Sequence, residues 1–472
     1  MMSLSRNATV ERDCAPIIME EYMPRISSQS PRLPRFQRPA LRSLAMALAI
    51  GAMGAGALVA PVAPAHAAKK QKQEGPKYDL GKEYRASAAE TQKLIESGDA
   101  EAAKAALAKS EALAQNPDEK FLTGQFYIQL GGKLKDPALQ RKGLEMSLAS
   151  GRTPAADVGR FNYFVGSMAY QDKDYAAARQ YLKAALDAGY TDNDTAAIYA
   201  EAFFQDNMIE EGLAALKQAI DASVAAGTTP PETWYRRGTA IALKNKSPNV
   251  GQWTKMLVEA YPNTTNWRDA LVIFRDGANY GSQENLDLMR LMRRTDALQS
   301  ERDYAEYVEN ADPVRLPGEV VAVIDEGRAA GKIKPDSGFF NDQYSLAKGK
   351  IAADKASLAS STADAKTSKN GLTALGTADA LLSYGDADEA VSLYQLALDK
   401  GGIDRDRALT RLGIANAYLG DYDAANAAFA QVSGARKPLA EYWMMWTKQK
   451  MGGGATTEAP APAGDDTPET GS

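Results

Sequence analysis

Most hydrolytic, redox and metal sites need an imidazole or a thiol, and this 472-residue chain has one of each, His66 and Cys14. Both lie in a segment with the pattern of a removable leader, so the chain after Ala67 has neither. That excludes disulfides, thiolate or imidazole metal sites, and Ser-His or Cys-His dyads from the mature protein. Paired carboxylates are what remains, as in glycoside hydrolysis. The acidic residues are spread along the chain at ordinary density and read as solvated helix faces. Gly51, Gly54 and Gly56 follow no strand and fall inside the leader, so they form no phosphate loop. Asp192-Asn193-Asp194 and the Asp404/Asp406 pair lack the glycine and terminal Glu of a calcium loop and read as helix N-caps. The reading is therefore non-catalytic, with no cofactor and no metal residue.

The leader carries Arg25, Arg32, Arg35, Arg38 and Arg42 before an uncharged run from Leu44 to Ala60. Ala65-His66-Ala67 follows, then the charged start Ala68-Lys69-Lys70. A basic region, an apolar region and Ala-x-Ala in that order predict a signal peptide over 1–67, cleaved after Ala67, and a periplasmic product. The apolar run is rich in Gly and Ala and ends at Pro61, which argues against a retained anchor and leaves no membrane span in the mature form. Ala68 stands where a lipid anchor needs Cys, and no adjacent Arg pair precedes the run. Four acids between Met1 and Tyr22 suit a leader badly, which points to Met23 as the start. A net charge of −5 without basic clustering argues against a nucleic-acid partner.

Beyond a Lys/Gln/Glu-rich stretch over 68–82, expected to be a flexible lead-in, a repeat organises the chain. Gly166, Ala178, Leu182 and Ala185 recur as Ala200, Gly212, Leu216 and Ala219, each offset by 34 residues. That period belongs to helix-turn-helix solenoids, with small residues allowing close helix approach and the bulky one filling the gap. Trp234, Gly238 and Ile241 with Pro262 continue the pattern. So do Leu412-Gly413, Gly420-Asp421-Tyr422, Ala425, Phe429 and Pro438, and Ala390, Tyr394 and Ala397 precede Ala425, Phe429 and Val432 by 35 residues. On these residues the chain resembles the tetratricopeptide repeat family. The resemblance implies an all-α, right-handed solenoid of stacked antiparallel helix pairs. N-terminal repeats are expected over 83–262, divergent helical repeats over 263–370, and C-terminal repeats with a capping helix over 371–450. Arg237, Asn416 and Ala169 depart from the family consensus, and inserts near 133–137 and 225–229 break the period.

Between the clear repeats, Phe340, Tyr344, Ala347, Ile351 and Leu358 predict a helix near 339–359. Val320 to Ile324 is β-branched, yet Val320, Ile324 and Gly327 keep the helical spacing of Ala178, Leu182 and Ala185, so a helix is predicted there too. Trp443 and Trp446 are expected to cover the end of the last repeat, around Phe429 and Val432. The Gly/Ala/Pro/Thr-rich stretch 451–472 is expected to be disordered.

By the same resemblance, Tyr163, Ser167 and Tyr170, then Glu201 and Phe204, then Tyr235, Arg236 and Thr239 lie on the face lining the inner groove. Tyrosine suits such a groove, since it joins apolar area to a polar tip with few rotors. Packing between repeats is the other reading of the same aromatics. Arg236 alone falls at the place of a family carboxylate clamp, with Tyr163 and Ala197 where Lys or Asn would be needed. These residues imply a non-catalytic interaction scaffold that holds an envelope protein or an extended peptide. The alternative is a carboxylate-dependent cell-wall glycosidase, or a subunit positioning one.

Overall fold

The computed structural model describes residues 78–192 and 194–452. The expected signal peptide over 1–67, the expected cleavage after Ala67 and start at Met23, most of the expected lead-in and nearly all of the expected disordered tail lie outside the described residues. Every regular element among the described residues is helical. The chain forms two compact units that divide between Asp206 and Asn207.

Unit 1 contains α1 (Lys82–Ser97), α2 (Ala100–Leu113), α3 (Pro117–Leu134), α4 (Pro137–Ala149), α5 (Ala155–Gln171), α6 (Tyr175–Asp187) and α7 (Thr195–Gln205). Local chemistry sets their limits. Asp99, Asp136 and Asp174 accept from backbone N–H groups of the first turn, and Asn116 with Glu119 forms a reciprocal capping box. Glu119 also accepts from Gly81 N (2.8 Å) and Asp118 from Asp79 N (2.9 Å), so residues 79–81, inside the stretch read as a lead-in, are fixed onto α3. Asp194 stands at the N-cap of α7 with a left-handed backbone and makes no capping bond through its side chain. Asp404, by contrast, caps its helix as expected, accepting from Arg407 N at 3.0 Å.

Antiparallel pairs α1/α2, α3/α4 and α5/α6 pack at the small residues that the period marks. A methyl group at Gly166 would come within 2.7 Å of Leu182 Cγ, and one at Gly124 within 2.7 Å of the Gly143 carbonyl. The apolar interior of unit 1 is divided into local clusters, one around Leu107, Phe126 and Leu130 and another around Tyr163, Leu182 and Ile198.

Unit 2 contains α8 (Ile209–Ala225), α9 (Glu232–Lys244), α10 (Val250–Ala260), α11 (Thr264–Ala278), α12 (Ser282–Arg294), α13 (Glu301–Ala311) and α14 (Pro317–Ala329). It continues with α15 (Gly338–Thr367), α16 (Leu372–Ser383), α17 (Ala387–Lys400), α18 (Arg405–Leu419), α19 (Tyr422–Phe429) and α20 (Lys437–Met451). Val320 to Ile324 is helical, as its spacing requires. The helix expected near 339–359 runs on to Thr367, for 30 residues, because nothing in its Ala/Lys/Ser sequence stops it. Gly238 and Gly413 repeat the role of Gly166, lying under Trp253 and Phe429.

The interior of unit 2 differs in kind from that of unit 1. A single apolar core runs from Val258 in α10 to Trp446 in α20. The stretch read as divergent repeats over 263–370 belongs to this core. Trp443 and Trp446 are buried, with Trp443 stacked on Phe429 at 6.0 Å and Val432 buried nearby. Helix α20 also reaches the start of the core: its Tyr442 packs on Trp267 and Phe274 of α11. Unit 2 is thus closed by its own last helix. No helix of the described residues is long and apolar enough to cross a membrane.

Candidate functional site

In unit 1, α5 carries Tyr163, Ser167 and Tyr170 on successive turns. Tyr163 is 4% exposed, with its ring between Phe164 (5.4 Å) and Tyr190 (5.2 Å), and burial raises its hydroxyl pKa. Ser167 is buried one turn on, and Tyr170 is half-buried with its edge on Tyr175. On α7, Glu201 and Phe204 are buried, and Glu201 accepts from Gln205 Nε2 at 2.8 Å. In unit 2, α9 carries the other three. Tyr235 is buried against the edge of Tyr261, and Thr239 donates to the Tyr235 carbonyl at 2.9 Å. Arg236 is half-exposed, donating to Glu232 at 3.0 Å, which Asn266 Nδ2 also reaches at 2.9 Å. Tyr170 and Arg236 keep open surface; the other six are buried.

Several aromatics absent from that set do reach the surface of unit 1. Phe164, Tyr190, Tyr199 and Phe203 are all half-buried. Tyr199 and Phe203 are four residues apart on α7, with rings 5.1 Å apart. Arg179 of α6 lies over the Phe203 ring at 5.2 Å while donating to the Ala202 carbonyl and pairing with Asp206 at 2.8 Å. The i, i+4 spacing of Tyr199 and Phe203 is the sequence signal that marks such a pair. Half-buried rings held by a guanidinium offer flat, rigid contact area at little entropic cost.

A second feature of unit 1 is an open depression of about 470 Å³ over α2, α4 and α6, lined by Glu111, Lys120, Lys142, Glu145, Met146 and Tyr181 among others. Within it Lys142 donates to Glu111 (2.7 Å) and to the Tyr127 hydroxyl (3.1 Å), which itself donates to Glu111. Burial alone would raise the Glu111 carboxyl, but these two donors hold it below its ordinary range.

The reading of all acids as solvated faces needs correction in unit 2. Asp287, Glu319 and Asp379 are buried, and so are Arg290, Arg411 and Arg436. Arg290 grips Glu319 with two nitrogens, at 2.8 and 2.6 Å, and Asp287 with a third at 3.0 Å. Arg411 bridges Asp287 (3.1 Å) and Asp379, which also pairs with Arg407 and accepts from Tyr394 at 2.8 Å. Arg436 donates to Asp287 at 2.7 Å and lies 3.0 Å from Glu284. Burial would raise the Asp287 carboxyl, but Arg411, Arg290 and Arg436 keep it below the ordinary carboxylate range; Arg290 does the same for Glu319, and Arg411 with Arg407 for Asp379. The sequence signal is Leu286-Asp287-Leu288-Met289-Arg290-Leu291-Met292, where two charges three apart sit in an otherwise apolar run. Such a network fixes helix positions against one another and leaves no open carboxylate pair for catalysis among these three.

Glycine under a bulky residue fifteen or sixteen positions on recurs at Gly166/Leu182, Gly238/Trp253 and Gly413/Phe429, at the spacing set by the repeat. The architecture is tetratricopeptide-like. No family model matches the chain, and no curated protein matches it in sequence. Among solved structures it is similar to a chain in the structure of Naa15/Naa10 bound to HypK-THB, at 13% identity over 78% of this chain and 68% of that one, with a TM-score of 0.28. Yeast Tom70 is similar at 12% identity over 78% of this chain and 96% of that one, with a TM-score of 0.19.

Proposed function

We propose that the protein is a periplasmic interaction scaffold whose unit 1 holds a helix or an extended peptide of another envelope protein. One observation carries this reading. The half-buried rings of Phe164, Tyr170, Tyr190, Tyr199 and Phe203 fall within about forty residues of stacked helix pairs, a surface suited to anchoring a peptide. The leader pattern before Ala68 supports export. The depression around Glu111 and Lys142 offers both signs of charge beside the apolar surface of Met146, which suits a segment of mixed composition.

The test is crosslinking in envelopes of the source organism, with captured proteins identified and capture repeated for Tyr170→Ala and Tyr199→Ala. Both variants truncate half-exposed rings, so unit 1 should keep its helicity while losing most of the capture. Capture unchanged by both substitutions would sink the groove reading. Turnover of purified cell wall by the isolated protein would instead favour the carboxylate-dependent enzyme.

A further inference from the structure

Helix α20 packs on its sequence neighbour α19, where Thr447 donates to Asn426 at 2.6 Å, and also reaches far back along the chain. Ser433 is pinned to α18, its N–H and hydroxyl both donating to Asp406 at 2.9 Å. Gly434 follows with φ +55°, a left-handed turn that suits glycine, and Arg436 comes two residues later. Beyond this hinge every polar contact of α20 to α10, α11 and α12 spans more than 150 residues of sequence. Tyr442 shares a hydrogen bond with Thr254 (2.9 Å), Gln449 accepts from Trp267 Nε1 (3.2 Å) and donates to the Val258 carbonyl (3.0 Å), and Trp443 Nε1 donates to the Asp287 carbonyl (3.2 Å).

The charge distribution makes α20 separable. Removing one partner from a buried ion pair is normally prohibitive, because it strands the other. Asp287, however, is shared by three guanidiniums, and two of them, Arg290 and Arg411, belong to α12 and α18. With Arg407 included, Arg290 and Arg411 already balance Asp287, Glu319 and Asp379. Arg436 and Glu284 form an additional neutral pair, and Glu284 is partly open to solvent. When Arg436 leaves, no buried charge loses its last partner. Arg411 is the more deeply tied of the two, since its loss would take a guanidinium from Asp287 and Asp379 at once.

We propose that α20 is a detachable strap: it closes unit 2 over Trp267, Phe274, Asp287, Tyr418 and Phe429, and swings out about Gly434. Opening bares a site for an aromatic helix with an arginine upstream, the chemistry that Arg436, Tyr442, Trp443 and Trp446 supply in cis. The occupant in trans is a helix of that composition on a partner protein. This assignment of a trans ligand rests on the scaffold reading, whereas the opening rests on the contacts alone.

Hydrogen exchange on the full chain tests the opening without any substitution. Amides of α20 should exchange about tenfold or more faster than those of α18, as a sub-global opening requires. Equal rates in α18 and α20 would overturn the strap. Arg436→Gln should accelerate α20 further and leave α16 to α18 unchanged; acceleration of all four together would also overturn it. For the trans site, a fluorescent peptide of Gly434 to Gly452 is added to the full chain. Binding that is tighter by about tenfold to the Arg436→Gln chain than to the parent is expected, since an opening equilibrium taxes affinity by the closed fraction. No binding to the variant would remove the trans ligand while leaving the exchange result, and the envelope crosslinking, to stand or fall separately.

Discussion

At Gly413 the side chain is a hydrogen because the ring of Phe429 occupies the place of a Cβ. The carbon of Gly413→Ala would stand 2.4 Å from Phe429 Cε1, so the helix pair must spread or the ring must leave its stack with Trp443. Overpacking of this kind costs about 1–3 kcal/mol. Gly376 provides the control, since it is mid-helix in α16 with nothing within 4 Å of an added Cβ. Gly376→Ala should stabilise by about 0.5–1 kcal/mol through helix propensity alone. Urea unfolding of the two variants should move the midpoint in opposite directions. A midpoint unchanged by Gly413→Ala would mean that the close approach does not exist.

Among the elements, α16 and α18 share the apolar core and are also joined by charge. Asp379 on α16 holds Arg411 and Arg407 of α18 and accepts from Tyr394 of α17. Asp379→Asn keeps the shape and the Tyr394 bond but leaves the Arg411 guanidinium with Asp287 as its only buried counter-charge. The expected cost is about 3–5 kcal/mol, the usual price of breaking a buried pair from one side. Asp221→Asn, which removes an exposed i, i+4 pair with Lys217 on α8, should leave the urea midpoint within error. Comparable effects of the two substitutions would show that the Asp379 site is wet rather than buried.

On the scale of the whole molecule, acid should weaken both units, since Glu111 and Glu119 of unit 1 are also held low, and unit 2 the more, because three of its carboxyls are buried among arginines. The Asp287, Glu319 and Asp379 carboxyls lie below their ordinary values in the folded chain. A depressed carboxyl contributes stability that is complete above its unfolded pKa of about 4 and is lost as pH falls through the folded value. Unit 2 should therefore lose stability progressively below about pH 4. All five tryptophans, Trp234, Trp253, Trp267, Trp443 and Trp446, lie in unit 2, so their emission reports that unit alone. Acid titration should shift the tryptophan emission to the red while part of the helical circular dichroism survives in unit 1. Emission that holds constant to pH 2 while the helix signal collapses would contradict this ordering.

Helix type and helix pairing were legible in the sequence because they are local. A 34-residue offset, caps such as Asn116 and Asp404, and glycines fifteen or sixteen residues before a bulky side chain each act within one or two hairpins. The helical state of Val320 to Ile324 followed from spacing for the same reason, with Val320 and Ile324 both buried one turn apart. The candidate groove was legible only in part. A repeat register gives the direction of Tyr163 or Tyr235, but whether a ring is open or covered depends on Tyr190 and Tyr261, beyond the helix that carries it. The closure of unit 2 was legible only where Trp443 and Trp446 cover Phe429 and Val432; its reach back to α10, α11 and α12 was not. Asp287 meets Arg411 and Arg436 across 124 and 149 residues, and no local preference encodes which guanidinium reaches which carboxylate. Composition and periodicity thus determined that the described residues of the chain form stacked helix pairs and that no His or Cys follows Ala67. Only the tertiary structure decided that its second unit is shut by its own last helix, because that outcome depends on long-range contacts among buried charges and rings rather than on any single turn.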